Sequence, residues 1–211
     1  MAHEDGPEPE LVEVGAPDDL ALERAAAVLL AGGAVVLPTD TVYGLAALPH
    51  VAGATAALFA LKDRAESQPM AVLVADAEQA LALVADPPEA ARRWMAELWP
   101  GSLTIVLRRS PAARGLALGG DDETTIGLRC PGHPFVRALA RRVGPIATTS
   151  ANRSGEPTPT SASEAAAALA GPVALVVDGG PAGTVPSTVV DASRDPWRVL
   201  RLGGVTDDQL A

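Results

Sequence analysis

The chain has 211 residues and a formal net charge of −10, and its pI is near 4.7. This length is enough for one domain with a buried core, and the acidic balance argues against a broad basic surface for nucleic acid. The one cysteine excludes an internal disulfide, and no apolar run approaches the roughly 20 residues of a bilayer span. With no recognisable signal peptide either, we expect a cytoplasmic protein without a membrane partner.

The negative charge is concentrated at the N-terminus. Residues 1–20 contain seven acidic and no basic residues, so 19 acidic and 16 basic residues remain in 21–211. We therefore predict an acidic, flexible N-terminal tail over residues 1–17 and a single domain over residues 18–211. A cationic pocket inside that domain is compatible with the overall charge.

Short apolar runs alternate with helical patterns along the domain. We predict helices over residues 18–31, 52–62, 76–84, 87–98, 134–142 and 164–170. We predict strands over residues 34–37, 70–74, 103–107, 125–129, 145–148, 173–178, 187–191 and 198–202. The pattern indicates an α/β fold: a single domain with a twisted, mixed parallel/antiparallel sheet flanked by helices. The close spacing of strands after residue 170 suggests the antiparallel portion.

Four polar segments lie at the ends of these elements, where open α/β sheets usually bind ligands. They are residues 38–44, residues 62–64, residues 125–129 and residues 148–155. Two cations two positions apart, Lys62 and Arg64, suit a polyphosphate, and the hydroxyls of 148–155 suit phosphate oxygens. Ordinary turns and a cation at a helix C-terminus remain alternative interpretations of these segments.

Rare residue types coincide with three of the four segments. Tyr43, Lys62, Asn152 and Cys130 are each the single residue of their type, which we attribute to a coding bias that replaces such residues where chemistry permits. Three of these four residues lie in the polar segments, and this favours function over chance. We interpret Cys130 as a small buried side chain.

Several common sites are missing from the sequence. It has no Walker A loop, no dinucleotide-binding glycine motif and no nucleophile elbow, and its three histidines are not spaced as metal ligands, so we predict no metal site. His133 precedes a predicted helix and is interpreted as its cap. The residues together predict an anion-binding pocket for a nucleoside phosphate and a small carboxylate, with catalysis by positioning and charge stabilisation.

The polar segments also match a known family in order. The matching segments are 38–45, Lys62-x-Arg64, 99–104, 129–134, 149–155, 187–191 and Arg201-x-Gly203. With these motifs the chain resembles the YrdC-like domain of threonylcarbamoyl-AMP synthases, in the short, single-domain form.

The resemblance implies a nucleotidyltransferase. Its substrates would be L-threonine, bicarbonate and ATP, with Mg²⁺ accompanying the triphosphate, and its products threonylcarbamoyl-AMP and pyrophosphate. The product would pass to a tRNA-modifying transferase complex for N6-threonylcarbamoylation of adenosine 37 in tRNA.

The resemblance also implies site residues. Lys62 and Arg64 would be catalytic. The ATP-binding residues would be Lys62, Arg64, Thr125, Ser150, Asn152, Thr158 and Arg201. The threonine-binding residues would be Thr39, Tyr43, Arg129, Thr148 and Ser187, with Arg129 suited to the carboxylate. Two alternatives stay open at this point: a module that binds double-stranded RNA, and a paralogue that uses different carbamoyl chemistry on the same fold.

Overall fold

The structure is a computed structural model that describes residues 9–15, 20–63, 65 and 67–211. Its α-helices are α1 (Leu20–Leu30), α2 (Ala54–Lys62), α3 (Ala77–Ala82), α4 (Glu89–Leu98), α5 (Pro134–Val143), α6 (Ala162–Ala167) and α7 (Asp207–Leu210). Its strands are β1 (Glu10–Glu13), β2 (Val35–Leu37), β3 (Gly44–Ala47), β4 (Ala71–Leu73), β5 (Leu103–Arg108), β6 (Thr125–Arg129), β7 (Ile146–Ser150), β8 (Leu175–Asp178), β9 (Thr188–Asp191) and β10 (Arg198–Arg201). A short 3-10 helix covers Pro111–Ala113.

These strands form one sheet in the order β1-β8-β2-β3-β7-β4-β6-β5-β9-β10. The pairs β1/β8, β2/β8, β4/β6 and β5/β9 are parallel, and the other neighbours are antiparallel. The predicted α/β domain with a mixed sheet is thereby confirmed. The predicted antiparallel portion after residue 170 is present in β9 and β10, whereas β8 pairs in parallel with both of its neighbours.

Two strands were not predicted. Strand β3 begins inside the expected polar loop, and its sequence Gly-Leu-Ala-Ala has little intrinsic strand preference. It forms because β2 and β7 pair with it on both sides. Strand β1 lies in the expected flexible tail, and this part of that expectation is corrected: β1 pairs with β8, and Arg24 of α1 binds the Glu10 carboxylate.

Local capping follows the sequence at two helices. The Asp76 carboxylate accepts from the Gln79 amide at 3.0 Å at the start of α3, and Ser161 Oγ accepts from the Glu164 amide at 3.2 Å at α6. Residues 18 and 19, with which the first predicted helix begins, lie outside the described residues. No helix in the described part of the chain is long and apolar enough to cross a membrane.

Helices cover the two faces of the sheet unevenly. Helices α1 and α5 pack on one face of strands β2, β3, β7 and β8, and α2 and α6 pack on the other. On the half formed by β4, β6, β5 and β9, one face is covered by the apolar cluster of α3, α4 and α7, which includes Trp94. The opposite face of this half carries polar side chains and no such helical cover among the described residues, so it is open for a site.

Candidate active site

A cavity of about 620 Å³ lies on this open face. Its floor consists of alternate residues of neighbouring strands, because side chains two positions apart point to the same side of a sheet. The floor residues are Thr104 and Val106, Thr125, Gly127 and Arg129, Ala71 and Leu73, and Thr148 and Ser150. The sequence placed the ligand outside the strand ends; the structure instead places the cavity across the face of the strands.

Arg129, at the end of β6, is the most enclosed cation of the cavity. It is 6 % exposed, and its guanidinium donates to Gly101 O at 2.9 Å, Thr41 Oγ1 at 2.8 Å and Asp40 Oδ1 at 2.7 Å. Burial lowers the pKa of Arg129, the nearby charge of Arg201 lowers it further, and Asp40 opposes both effects. The guanidinium is therefore held in one orientation by a carboxylate, a hydroxyl and a carbonyl.

Arg201 reaches the cavity from the edge strand β10. Its Nη2 donates to Ser187 O at 2.8 Å and to Ser187 Oγ at 3.2 Å, and its Nε donates to Ser187 O at 3.1 Å. Ser187 Oγ lies 2.8 Å from Thr104 Oγ1 on the floor. The pairing of β9 with β10 is irregular between Val199 and Arg201, and both Leu200 and Arg201 line the cavity. A bulge of this kind redirects a side chain next to a site.

The loop before β3 contributes hydroxyls. Thr39 Oγ1 donates to Val42 O at 2.6 Å, accepts from the amides of Thr41 and Val42, and lies 3.0 Å from Thr41 Oγ1. This turn presents Thr39, Thr41 and Val42 to the cavity. Gly44 follows, and a Cβ atom built on it would lie 2.8 Å from Thr148 Oγ1. The absence of a side chain at Gly44 therefore leaves space beside Thr148.

Lys62, Ser150 and Asn152 are brought together behind one end of the cavity. The Lys62 ammonium donates to Ser150 O and lies 3.3 Å from both Ser150 Oγ and Asn152 Oδ1. Asn152 Nδ2 donates to the carbonyls of Arg153 and Glu156 at 2.9 and 2.7 Å. Ser150 lines the cavity, whereas Lys62 and Asn152 are buried behind it.

Tyr43 does not line the cavity. Val42 and Gly44 face it, and the intervening Tyr43 points to the other side, as alternation along an extended chain requires. Its buried hydroxyl donates to Gly180 O at 2.6 Å and accepts from the Gly179 amide at 3.2 Å, and burial raises the pKa of Tyr43. Direct contact with threonine is corrected to a structural role: Tyr43 ties the start of β3 to the end of β8.

The predicted site residues thus divide into three groups. Eight line the cavity: Thr39, Thr125, Arg129, Thr148, Ser150, Thr158, Ser187 and Arg201. Lys62, Asn152 and Tyr43 are buried outside its lining, and Arg64 lies outside the described residues. The lining residues that the sequence analysis did not single out include Thr41, Thr104 and Arg109. Thr41 and Thr104 lie within the matched motifs, so the sequence offered a signal for them, whereas Arg109 lies in no motif.

Two further predictions concern Cys130 and His133, which follow Arg129 in the chain. Cys130 is buried as predicted, and burial raises the pKa of its thiol. His133 occupies the first position before α5 but makes no capping bond, and its buried Nδ1 has no hydrogen-bond partner among the described residues. Those residues also contain no cluster of three or more His, Cys, Asp or Glu side chains that could hold a metal ion.

The sequence matches a family model over residues 27–203, that of Sua5_yciO_yrdC, described as telomere recombination. This chain belongs to the Sua5/YciO/YrdC family. Family membership confirms the resemblance found in the motifs, and it agrees with the mixed sheet.

Individual relatives of the Sua5/YciO/YrdC family agree with this assignment. A threonylcarbamoyl-AMP synthase of Bacillus subtilis is 40% identical over 195 residues, which are 92% of this chain and 56% of that protein. A putative threonylcarbamoyl-AMP synthase of Mycobacterium tuberculosis H37Rv is 39% identical over 188 residues, 89% of this chain and 86% of that protein. The solved structure of Pyrococcus abyssi Sua5 complexed with L-threonine superposes with a TM-score of 0.87 at 33% identity, covering 97% of this chain and 60% of that one. The chain thus spans little more than half of two of these relatives and most of the third.

Proposed function

We propose that this chain is a threonylcarbamoyl-AMP synthase that joins L-threonine, bicarbonate and ATP and releases pyrophosphate. The observation that carries the proposal is one cavity in which two arginines, Arg129 and Arg201, border a floor rich in hydroxyls. The cavity volume of about 620 Å³ lies within the range that small-molecule sites occupy. The names of the relatives and the L-threonine complex of Pyrococcus abyssi Sua5 support the same reaction.

Threonine binds at the Arg129 side in this proposal. A guanidinium has five N–H donors, and the described contacts of Arg129 use three of them. The remaining two N–H groups suit the threonine carboxylate, which accepts a pair of parallel bonds. Thr39, Thr148 and Ser187 line the cavity and supply hydroxyls for the rest of the amino acid.

ATP occupies the remaining part of the cavity in this proposal. Ser150, Thr125, Thr158 and Arg201 line it, and Lys62 lies directly behind Ser150. A lysine ammonium on a flexible four-carbon stem can follow a phosphate oxygen, so we assign Lys62 to the triphosphate. Asn152 supports Lys62 from behind.

The reaction takes place in two steps. The threonine amine attacks the carbon of bicarbonate, and water leaves, which gives a carbamate. A carbamate oxygen then attacks the α-phosphorus of ATP, the bond from that phosphorus to the bridging oxygen breaks, and pyrophosphate departs. Negative charge accumulates on phosphate oxygens during the second step, and fixed cations and hydroxyls stabilise it without reorganisation.

Magnesium and the acceptor of the product belong to the proposal as well. Magnesium usually binds phosphates with few protein ligands, and the described residues form no acidic cage for it, so it would arrive with the triphosphate. The adenylate would pass to a tRNA-modifying transferase complex in the cytoplasm.

The test of the function is threonine-dependent release of pyrophosphate by the purified protein. Lys62→Ala should reduce turnover at least about a hundredfold, because a charge-assisted contact to the triphosphate is lost. The matched control is Arg92→Ala, which removes an exposed cation of α4 outside the cavity and should leave turnover unchanged. Wild-type protein without threonine-dependent turnover would contradict the function, and full activity in Lys62→Ala would contradict only the role of Lys62.

A further inference from the structure

A second cavity of about 520 Å³ lies beside the active-site cavity, and we call it the arginine cavity. Its lining residues are Ala85, Arg108, Arg109, Arg114, Asp122, Glu123, Thr124, Thr125, Ser193 and Arg194. The two cavities share the lining residues Arg109, Asp122 and Thr125. These three residues form the wall between the two cavities, and Arg109 is the cation that lines both of them.

Two of the four arginines are hydrogen-bonded through Nε, and a third has an ion pair there. Arg108 Nε donates to Ser193 O at 2.9 Å, and Arg109 Nε donates to Thr125 O at 2.7 Å. Arg194 Nε lies 3.7 Å from the Asp191 carboxylate. Anchoring at Nε fixes the stem, which lowers the entropy that binding costs. Arg109 is fixed further, because its Nη1 donates to Leu116 O at 3.2 Å.

The arginine cavity is locally positive in a negative chain. Four guanidinium groups line it against two carboxylates, Asp122 and Glu123, and a third carboxylate, Asp191, pairs with Arg194, while the whole chain carries −10. The Asp122 carboxylate accepts from the Thr124 amide at 2.8 Å and from Thr125 Oγ1 at 3.2 Å. These contacts hold Asp122 against its own loop. Most of the lining side chains are exposed, so an anion can enter from solvent, and a compact polyanion can place all of its charge among the four guanidinium groups.

We propose that the arginine cavity binds pyrophosphate after it leaves the active-site cavity. The proposal rests on the proposed function, which makes pyrophosphate the leaving product. Arg109 lines both cavities, so pyrophosphate stays next to a cation as it moves from one cavity to the other. Arg108, Arg114 and Arg194 then hold both phosphate groups, and no covalent bond changes in this step.

Calorimetric titration with pyrophosphate tests the proposal. The protein is first saturated with threonine and a non-hydrolysable ATP analogue, so that the active-site cavity is filled. We expect a remaining pyrophosphate site in the wild type. The double substitution Arg114→Gln and Arg194→Gln should weaken it at least about tenfold, because each arginine makes charge-assisted bonds. Both side chains are exposed, and neither lines the active-site cavity.

Two single variants provide controls of opposite kinds. Glu123→Gln removes a carboxylate from the arginine cavity and should tighten pyrophosphate binding by a few fold. Arg92→Gln removes an exposed arginine that is also anchored through Nε, to Pro87 O at 3.2 Å, but lies outside both cavities, and it should change nothing.

The outcomes separate this proposal from the proposed function. Threonine-dependent turnover is measured on the same samples. If the protein turns over but binds no pyrophosphate once the ATP analogue fills the active-site cavity, the proposal for the arginine cavity is wrong and the proposed function stands. The same holds if pyrophosphate still binds and the double substitution does not weaken it. If pyrophosphate binds in the presence of the ATP analogue but the protein shows no threonine-dependent turnover, the proposed function is wrong, and the arginine cavity then has no role in product exit.

Discussion

Arg129 and Arg201 border the same cavity, and the sheet holds them in different ways. Arg129 ends β6, an interior strand, and is bound by a carboxylate, a hydroxyl and a carbonyl. Arg201 ends β10, the edge strand, and its described contacts are all to Ser187. An interior strand has neighbours on both sides that supply partners, whereas an edge strand has them on one side only.

The difference suggests a division of work within the cavity. A guanidinium with one fixed orientation suits a small, rigid carboxylate, because it discriminates by geometry. A guanidinium at the edge is held by one residue and can adjust to a larger ligand with several phosphates. The charge of Arg129 is also compensated, because Asp40 pairs with it at 2.7 Å, whereas the described contacts of Arg201 are to the uncharged Ser187. Substitutions on the two sides should therefore affect stability and substrate affinity in different proportions.

The largest effect is expected for Arg129→Ala. The variant leaves Asp40, Thr41 and Gly101 without their donor in a largely buried place, so we expect the free energy of unfolding to fall by about 3 kcal/mol. The KM for threonine should rise on the order of a hundredfold. Urea unfolding and steady-state kinetics measure the two effects. Arg129→Lys keeps the charge without the fork and should recover part of the stability and little of the threonine affinity.

Asp40→Asn isolates the contribution of the Asp40 charge, because it keeps the size of the side chain and removes its charge. Asp40 does not line the cavity, and we expect it to act by orienting Arg129. The KM for threonine should rise about tenfold, with a smaller change in the KM for ATP. Equal changes in both constants would indicate a general loss of structure, and the orienting role would then be wrong.

Arg201→Gln should reverse the pattern. We expect the KM for ATP to rise about tenfold and the free energy of unfolding to change by less than about 1 kcal/mol, because the side chain is partly exposed at the sheet edge. A large loss of stability would show that the edge arginine is as deeply built into the fold as Arg129. Thermal unfolding beside the kinetic assay decides this.

The smallest effect concerns His133, which precedes α5. Burial lowers the pKa of His133 below its ordinary 6.5, with Asp40 opposing this shift. Below about pH 6.5 the unfolded chain takes up a proton at His133 more readily than the folded chain does. The contribution of neutral His133 to the free energy of unfolding is therefore present above about pH 6.5 and is lost as the pH falls. His133→Gln should flatten the decline of unfolding free energy between about pH 7 and pH 5. His50→Gln, at an exposed position, should keep the wild-type slope.

Much of the sheet was predictable because apolar runs and turn residues occur where strands begin and end. Strands β5 and β6 coincide with their predicted runs to within one residue. Strand β3 could not be found in this way, because Gly44 and two alanines have weak strand preference and the strand depends on partners far along the chain. Pairing between distant segments leaves no local signal in the sequence.

The site was predictable as a set of residue types and less so as a geometry. Hydroxyls and cations in the motifs identified eight of the cavity-lining residues. The motifs do not separate residues that face the cavity from residues behind it, and they predict Tyr43, Lys62 and Asn152 as binding residues together with those that line it. Each of the three is the single residue of its type and each is buried, so the rarity of a residue type is compatible with burial behind the cavity as well as with contact with a ligand.

Gly44 has a consequence for the engineering of this protein. Its backbone lines the cavity beside Thr148, and an added Cβ atom would be 2.8 Å from Thr148 Oγ1. The width of the cavity at this point is set by the main chain of β3, which its pairing with β2 and β7 holds in place. Substitution at this position can narrow the space for an amino acid but cannot widen it. Variants that accept larger amino acids must therefore be sought at side chains such as Thr148, and variants that reject them can be sought at Gly44.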